Sequence, residues 1–94
     1  MATFVLFCLD KADSLDLRMA TRERHLAWVA SRAADIKIAG PMTDDAGRMA
    51  GSMFILDVAD KAAVEAFNAA DPYTQAGLWR QVEVKALKVT FGQL

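Results

Sequence analysis

The stretch "IKIAGPMTDDAGRMAGSMFILDV", residues 36–58, decides the fold. Two short apolar runs, "IKIAGPM" (36–42) and "SMFILDV" (52–58), flank the polar, glycine-containing "TDDAGRMAG", so the segment predicts a β-hairpin with a longish loop. A helical pattern lies on each side of it. Upstream, Asp13 or Ser14 can cap a long helix with Asp16 in its first turn. Met19, Leu26, Val29 or Ala30, and Ala33 recur at helical spacing as its expected buried stripe, and the helix is expected to end near Asp35. Downstream, "ADKAAVEAFNAAD" (59–71) predicts a second amphipathic helix with Asp60 near its start, Val64 and Phe67 inward, and an interruption at Pro72.

Two outer strands complete the order. "TFVLFCLD" (3–10) is short, β-branched and aromatic, and "VEVKALKVTF" (82–91) closes the chain. The resulting βαββαβ order predicts an α+β, ferredoxin-like sandwich, an antiparallel sheet with two helices on one face. In "FVLFCL" and "MFIL", however, odd and even positions are both apolar, although two helices cover only one face. An uncovered apolar face is rare on a soluble monomer, so the pattern predicts a homodimer formed through the sheets. In the last strand Val82, Val84 and Ala86 share one face and Leu87, Val89 and Phe91 the other, which predicts a bulge or bend near Ala86.

Composition narrows the function classes. A chain of 94 residues, 54% hydrophobic, suits one domain over residues 1–94 with a small core. Eleven basic against twelve acidic side chains leave no positive field for nucleic acid or an anionic membrane. No apolar run approaches the ~18 residues of a membrane span. Cys8 is the only cysteine, which excludes an internal disulfide and fits a reducing, cytoplasmic setting; its apolar neighbours make it a small buried hydrophobe. One histidine and one cysteine make a poor metal set, and no phosphate-cradling loop is present, so no metal or organic cofactor is expected.

The residues able to carry chemistry are few. Arg18, Arg22 and His25 stand at i, i+4 and i+7 along one stripe of the first helix. Periodicity leaves two readings: a solvated basic edge with His25 partly packed, or the rim of a pocket for an anionic or carbonyl-bearing molecule. In "ADPYTQAGL", Asp71 either simply caps the turn that Pro72 begins or presents a carboxylate to a site. Gly40 and Pro41 in "AGPM" end a strand or admit a close backbone approach, and Ser52, following Gly51, is either a turn residue or a pocket hydroxyl.

Taken together and in order, "DKADSLDLR", "RERHLAWV", "IAGPM", "GS", "ADPYTQAGL" and "VEVKALK" resemble the YciI-like, or YCII-related, family over nearly the whole chain. The chain departs from the family pattern at Ala86 and Leu87, where members often carry proline followed by an aromatic. The resemblance implies a ferredoxin-like fold dimerising as an α/β barrel and a pocket in which His25 faces Asp71 as a His-Asp dyad. It also implies Arg18, Arg22, Gly40, Pro41, Ser52 and Tyr73 as substrate-binding residues. The implied chemistry is cofactor-independent proton transfer of lyase or isomerase type on a small oxygenated organic substrate, dehydrochlorinase-like or muconolactone-isomerase-like. The alternative is a non-catalytic module using the same pocket for a small ligand, or its surface for another protein.

Overall fold

The computed structural model describes residues 1–94. Strand β1 spans Ala2–Asp10, helix α1 Leu15–Ser31, β2 Ile36–Thr43, β3 Met49–Val58, α2 Lys61–Ala70, the short α3 Pro72–Gln75 and β4 Trp79–Ala86. The sheet order is β2-β3-β1-β4, antiparallel throughout, which is the ferredoxin-like arrangement that the βαββαβ reading anticipates. No helix is long and apolar enough to cross a membrane.

Alternation along β1 and β3 sorts the core. Phe4, Leu6 and Cys8 pair across the sheet with Leu56, Phe54 and Ser52, and this face packs beneath the helices with Val64 and Phe67. Asp60 caps α2 by accepting the Ala63 N–H at 2.9 Å, so α2 enters with Val64 and Phe67 inward as its pattern predicts. The other face carries Val5, Phe7, Leu9, Met53 and Ile55 in register, joined on β2 by Ile38 and Met42. No helix lies over it.

Several boundaries differ from the sequence expectation. Helix α1 stops at Ser31, and a single 3₁₀ turn, Ala33–Asp35, leads into β2. Ser14 occupies the cap position of α1, but its hydroxyl donates to the Ala12 carbonyl and caps nothing. The hairpin loop is shorter than "TDDAGRMAG" implied, because Asp44 Oδ1 accepts the Ala46 and Arg48 N–H groups and Gly47 takes φ 82°, closing the turn early. Gly51 therefore lies inside β3 and does not begin it. A Cβ there would fall 2.6 Å from the Cys8 carbonyl oxygen, so only glycine fits.

Strand β4 begins at Trp79, opposite Asp10, and ends at Ala86, opposite Phe4. Leu87 N–H still reaches the Thr3 carbonyl at 2.9 Å, and beyond it the chain no longer pairs with β1. The expected bulge near Ala86 is absent; the change of phase marks the strand's end. The register shifts fall at Leu9/Asp10, Ile36/Ile38 and Met42/Thr43.

The largest correction concerns α1. Its buried residues are Arg18, Thr21 and His25, whereas Met19 and Leu26 of the expected apolar stripe are about half exposed, at 50% and 45%. Ala33 lies beyond the helix and is exposed. The helix thus sets Arg18, Thr21 and His25 inward, which is stable only where each polar group finds a partner, and only its last turn keeps the expected stripe, with Val29 and the neighbouring Trp28 partly buried against the core.

Candidate active site

Those partners come from three other elements. At the end of β1, Asp10 grips Arg18 with both oxygens: Nε donates to Oδ2 at 2.8 Å and Nη2 to Oδ1 at 2.9 Å. Nη2 also donates to Ser52 Oγ of β3 at 3.0 Å. Burial works against the Arg18 charge, but the Asp10 bonds and carboxylate outweigh it and hold the guanidinium above its ordinary pKa. Arg18 is thus 1% exposed and permanently cationic. The sequence reading missed Asp10, since nothing in an apolar strand's last residue indicates which cation it will meet eight positions on.

His25 and Asp71 come together through the junction of α2 and α3. Pro72 forces Asp71 into extended geometry (φ −65°, ψ 125°), which ends α2 and aims the carboxylate back at α1. One oxygen then makes both of the contacts of Asp71 that matter here. Oδ1 accepts the Tyr73 N–H at 2.9 Å, capping α3, and lies 2.8 Å from His25 Nδ1. Asp71 is fully buried, and its second oxygen, Oδ2, has no hydrogen-bond partner. A carboxylate accepts only, so Nδ1 carries the proton of this contact, and in the neutral ring Nε2 is left with its lone pair.

Aromatic packing fixes the imidazole plane. Tyr73 stacks on His25 with centroids 4.0 Å apart and planes 19° from parallel, and the Arg18 guanidinium carbon lies 4.6 Å from the Tyr73 centroid. Burial raises the Tyr73 phenol above its ordinary pKa, partly offset by the charges of Arg18 and Arg22, so the hydroxyl stays protonated at neutral pH.

A cavity of about 80 Å³ opens beside His25. Arg18, Arg22, Ser52 and Tyr73 line its polar part, with Gly40 and Pro41 of β2 along one edge. Leu26 and Met49, neither foreseen as site residues, join the apolar wall with Phe54. Asp71 does not line the cavity; it stands behind the imidazole. Arg22 is half-buried and makes no hydrogen bond or ion pair within the chain, which distinguishes it from the committed Arg18. Cys8 is buried beyond the site, where desolvation and then the Asp71 charge push its thiol up to about 12, so it is no thiolate nucleophile near neutrality.

Comparison with known proteins follows the same outline. The sequence pattern of the YCII-related domain matches residues 2–88. Protein YciI of Escherichia coli is 35% identical over 96 residues, covering 94% of this chain and 98% of that protein. The solved structure of 5-chloro-2-hydroxyhydroquinone dehydrochlorinase from Burkholderia phenoliruptrix, in complex with 2,5-dihydroxybenzoquinone, superposes with a TM-score of 0.84 at 30% identity, covering 92% of this chain and 93% of that one. A ferredoxin-like protein of unknown function from Jannaschia, 19% identical, covers 95% of this chain and all of that one with a TM-score of 0.50 and shares the fold alone.

Proposed function

The chain belongs to the YCII-related family, and from that premise we propose that it is a small enzyme of lyase or isomerase type that moves a proton on an oxygenated, ring-like organic substrate. The observation carrying this reading is the 2.8 Å contact of Nδ1 with a carboxylate outside the cavity, which leaves Nε2 as the basic atom of a residue lining it. Similarity to the dehydrochlorinase, crystallised with a dihydroxybenzoquinone, supports the substrate class.

In this reading Nε2 takes a proton from a substrate carbon, and Asp71 stabilises the imidazolium across Nδ1. In a lyase step the electron pair of the broken C–H bond becomes the new π bond while a leaving group departs with its own pair, as chloride does from a chlorinated carbon. In an isomerase step the imidazolium returns the proton to another atom. Arg22, Ser52 and Tyr73 present donors to the oxygen on which negative charge gathers. The apolar open face of the sheet supports a homodimer as the working form, Val5, Phe7, Met53 and Ile55 being the residues that a second copy would cover.

The test is a panel of hydroxylated and chlorinated aromatic compounds, incubated with wild type and with His25→Ala and followed by mass spectrometry. We expect turnover that falls by roughly 10²–10⁴-fold in the variant. Asp71→Asn should change the imidazole tautomer, read from the ring ¹⁵N shifts. Binding without turnover by the wild type, or equal turnover by His25→Ala, would replace this reading with a ligand-binding module.

A further inference from the structure

The structure adds to the pocket hydroxyl Ser52 a direction that the sequence does not carry. Ser52 is 3% exposed, on the helix-facing side of β3, and its oxygen accepts a hydrogen bond from Arg18 Nη2 at 3.0 Å. A hydroxyl that accepts from a cation has its own proton turned away by that charge. No group of the chain accepts that proton, and the side on which Ser52 remains open is the cavity.

The direction is not left to Ser52. Asp10 binds Nε and Nη2 of Arg18 together, which holds the guanidinium plane and aims the remaining Nη2 hydrogen at Oγ. Tyr73 covers the same guanidinium at 4.6 Å and limits its swing. Asp10 is not among the cavity-lining residues, so its influence on a ligand passes through Arg18.

With Ser52 as the donor that the proposed function gives to a carbonyl or enolate oxygen of the ligand, we infer that Asp10 is a positioning residue that orients this hydroxyl through Arg18. This assignment rests on the proposed oxygenated substrate, but it concerns binding and is separable from proton transfer at His25. It makes the cavity two-ended: a lone pair at His25 Nε2, and a preset donor at Ser52 joined by the free cation of Arg22. A ligand suited to both ends carries an acceptor oxygen and a transferable proton on one small framework.

Absorbance titration with 2,5-dihydroxybenzoquinone as the probe, the compound bound by the similar dehydrochlorinase, tests the inference. Ser52→Ala should weaken binding about tenfold or more, the loss of one hydrogen bond to a charged oxygen, while Ser52→Thr should stay within about threefold of wild type. Asp10→Asn should weaken binding roughly fivefold when Ser52 is present and by less than about twofold in the Ser52→Ala background, because coupled residues are not additive. A purely structural part for Asp10 would give the same loss in both backgrounds.

Circular dichroism and a thermal scan accompany each protein. If Asp10→Asn does not fold, Asp10→Glu takes its place, and the Ser52→Ala and Ser52→Thr pair decides the hydroxyl by itself. Binding that survives Ser52→Ala, equal losses for Asp10→Asn in both backgrounds, or a wild type that does not bind the probe overturns the inference. Loss on Ser52→Ala with binding and turnover intact in His25→Ala upholds it and removes the proton-transfer reading instead.

Discussion

Helices α1 and α2 pack on the same face of one sheet and, apart from the partly buried Trp28 and Val29 at the end of α1, bury opposite kinds of residue. α2 buries Val64 and Phe67, a fit that needs shape and apolar area but no particular partner. α1 buries Arg18, Thr21 and His25, each tied to a named acceptor: Asp10 and Ser52, the Leu17 carbonyl, and Asp71. The first kind of interface is tolerant of composition and intolerant of voids. The second is intolerant of losing one partner and gains little from burial itself, so it fixes orientation more than it adds stability. The division of labour follows: α2 anchors the sheet, and α1 holds charged groups still beside a cavity.

The most forceful way to break this comparison is to remove one side chain from each interface and then attempt a repair. Phe67→Ala opens a void among Trp28, Phe54 and the β1 residues and should lower unfolding free energy by about 3–5 kcal/mol. Arg18→Met strands the Asp10 carboxylate and should cost a similar amount, about 3–5 kcal/mol. Adding Asp10→Leu to Arg18→Met should then recover most of the loss, since an ion pair replaced whole by apolar side chains is often neutral. Urea unfolding of the four proteins measures it. An unrepaired double variant would mean that α1, like α2, is held by packing.

The same contrast explains what the sequence makes legible. Hydrophobic period and turn residues suffice for α2, for the hairpin around Gly47 and for the order of elements, because those features are local. The contact of His25 with Asp71 was reachable only through the family resemblance, since the partners lie 46 positions apart. The buried face of α1 was not legible: Met19 and Leu26 advertise an apolar stripe, and only the long-range partners Asp10, Ser52 and Asp71 make the polar edge the better one to bury. β4 is similarly set by pairing, since it follows β1 from Asp10 back to Phe4 and leaves it after Ala86 although β1 continues to Ala2.

Alkaline pH sharpens the comparison at the point where the two regions meet. Cys8 lies between them, its Sγ donating to Asn68 of α2 at 3.7 Å while its thiol feels the Asp71 charge. In the unfolded chain this thiol ionises near its ordinary value of 9.0, whereas in the folded chain burial raises it to about 12. Between those values the unfolded state binds fewer protons, so stability falls as pH rises, by on the order of 4 kcal/mol across the whole interval. Tyr73, also raised by burial, acts in the same direction above pH 10. Urea unfolding at pH 8, 9.5 and 11 should show the decline in wild type and a clearly shallower one in Cys8→Ala. Parallel declines in the two proteins would place the alkaline sensitivity elsewhere.

The smallest expected effect lies on the side of α1 that the sequence marks as apolar and the fold leaves outside. Met19 is half exposed and does not line the cavity, so Met19→Gln should change unfolding free energy by less than about 0.5 kcal/mol and leave binding of 2,5-dihydroxybenzoquinone unaltered. Leu26 is exposed to a similar degree but stands at the cavity's apolar wall, so Leu26→Gln should also spare stability, again within about 0.5 kcal/mol, yet weaken the probe's binding by several-fold, roughly the value of one lost apolar contact. The two variants share a helix, a residue size and an exposure, and differ only in what they face. Their separation in binding at equal stability is therefore what a helix turned polar edge inward requires. A loss of stability above about 1 kcal/mol in Met19→Gln would show that this apolar side is buried after all, as it would be beneath another copy of the chain, and the inversion of α1 would then be a property of the isolated subunit.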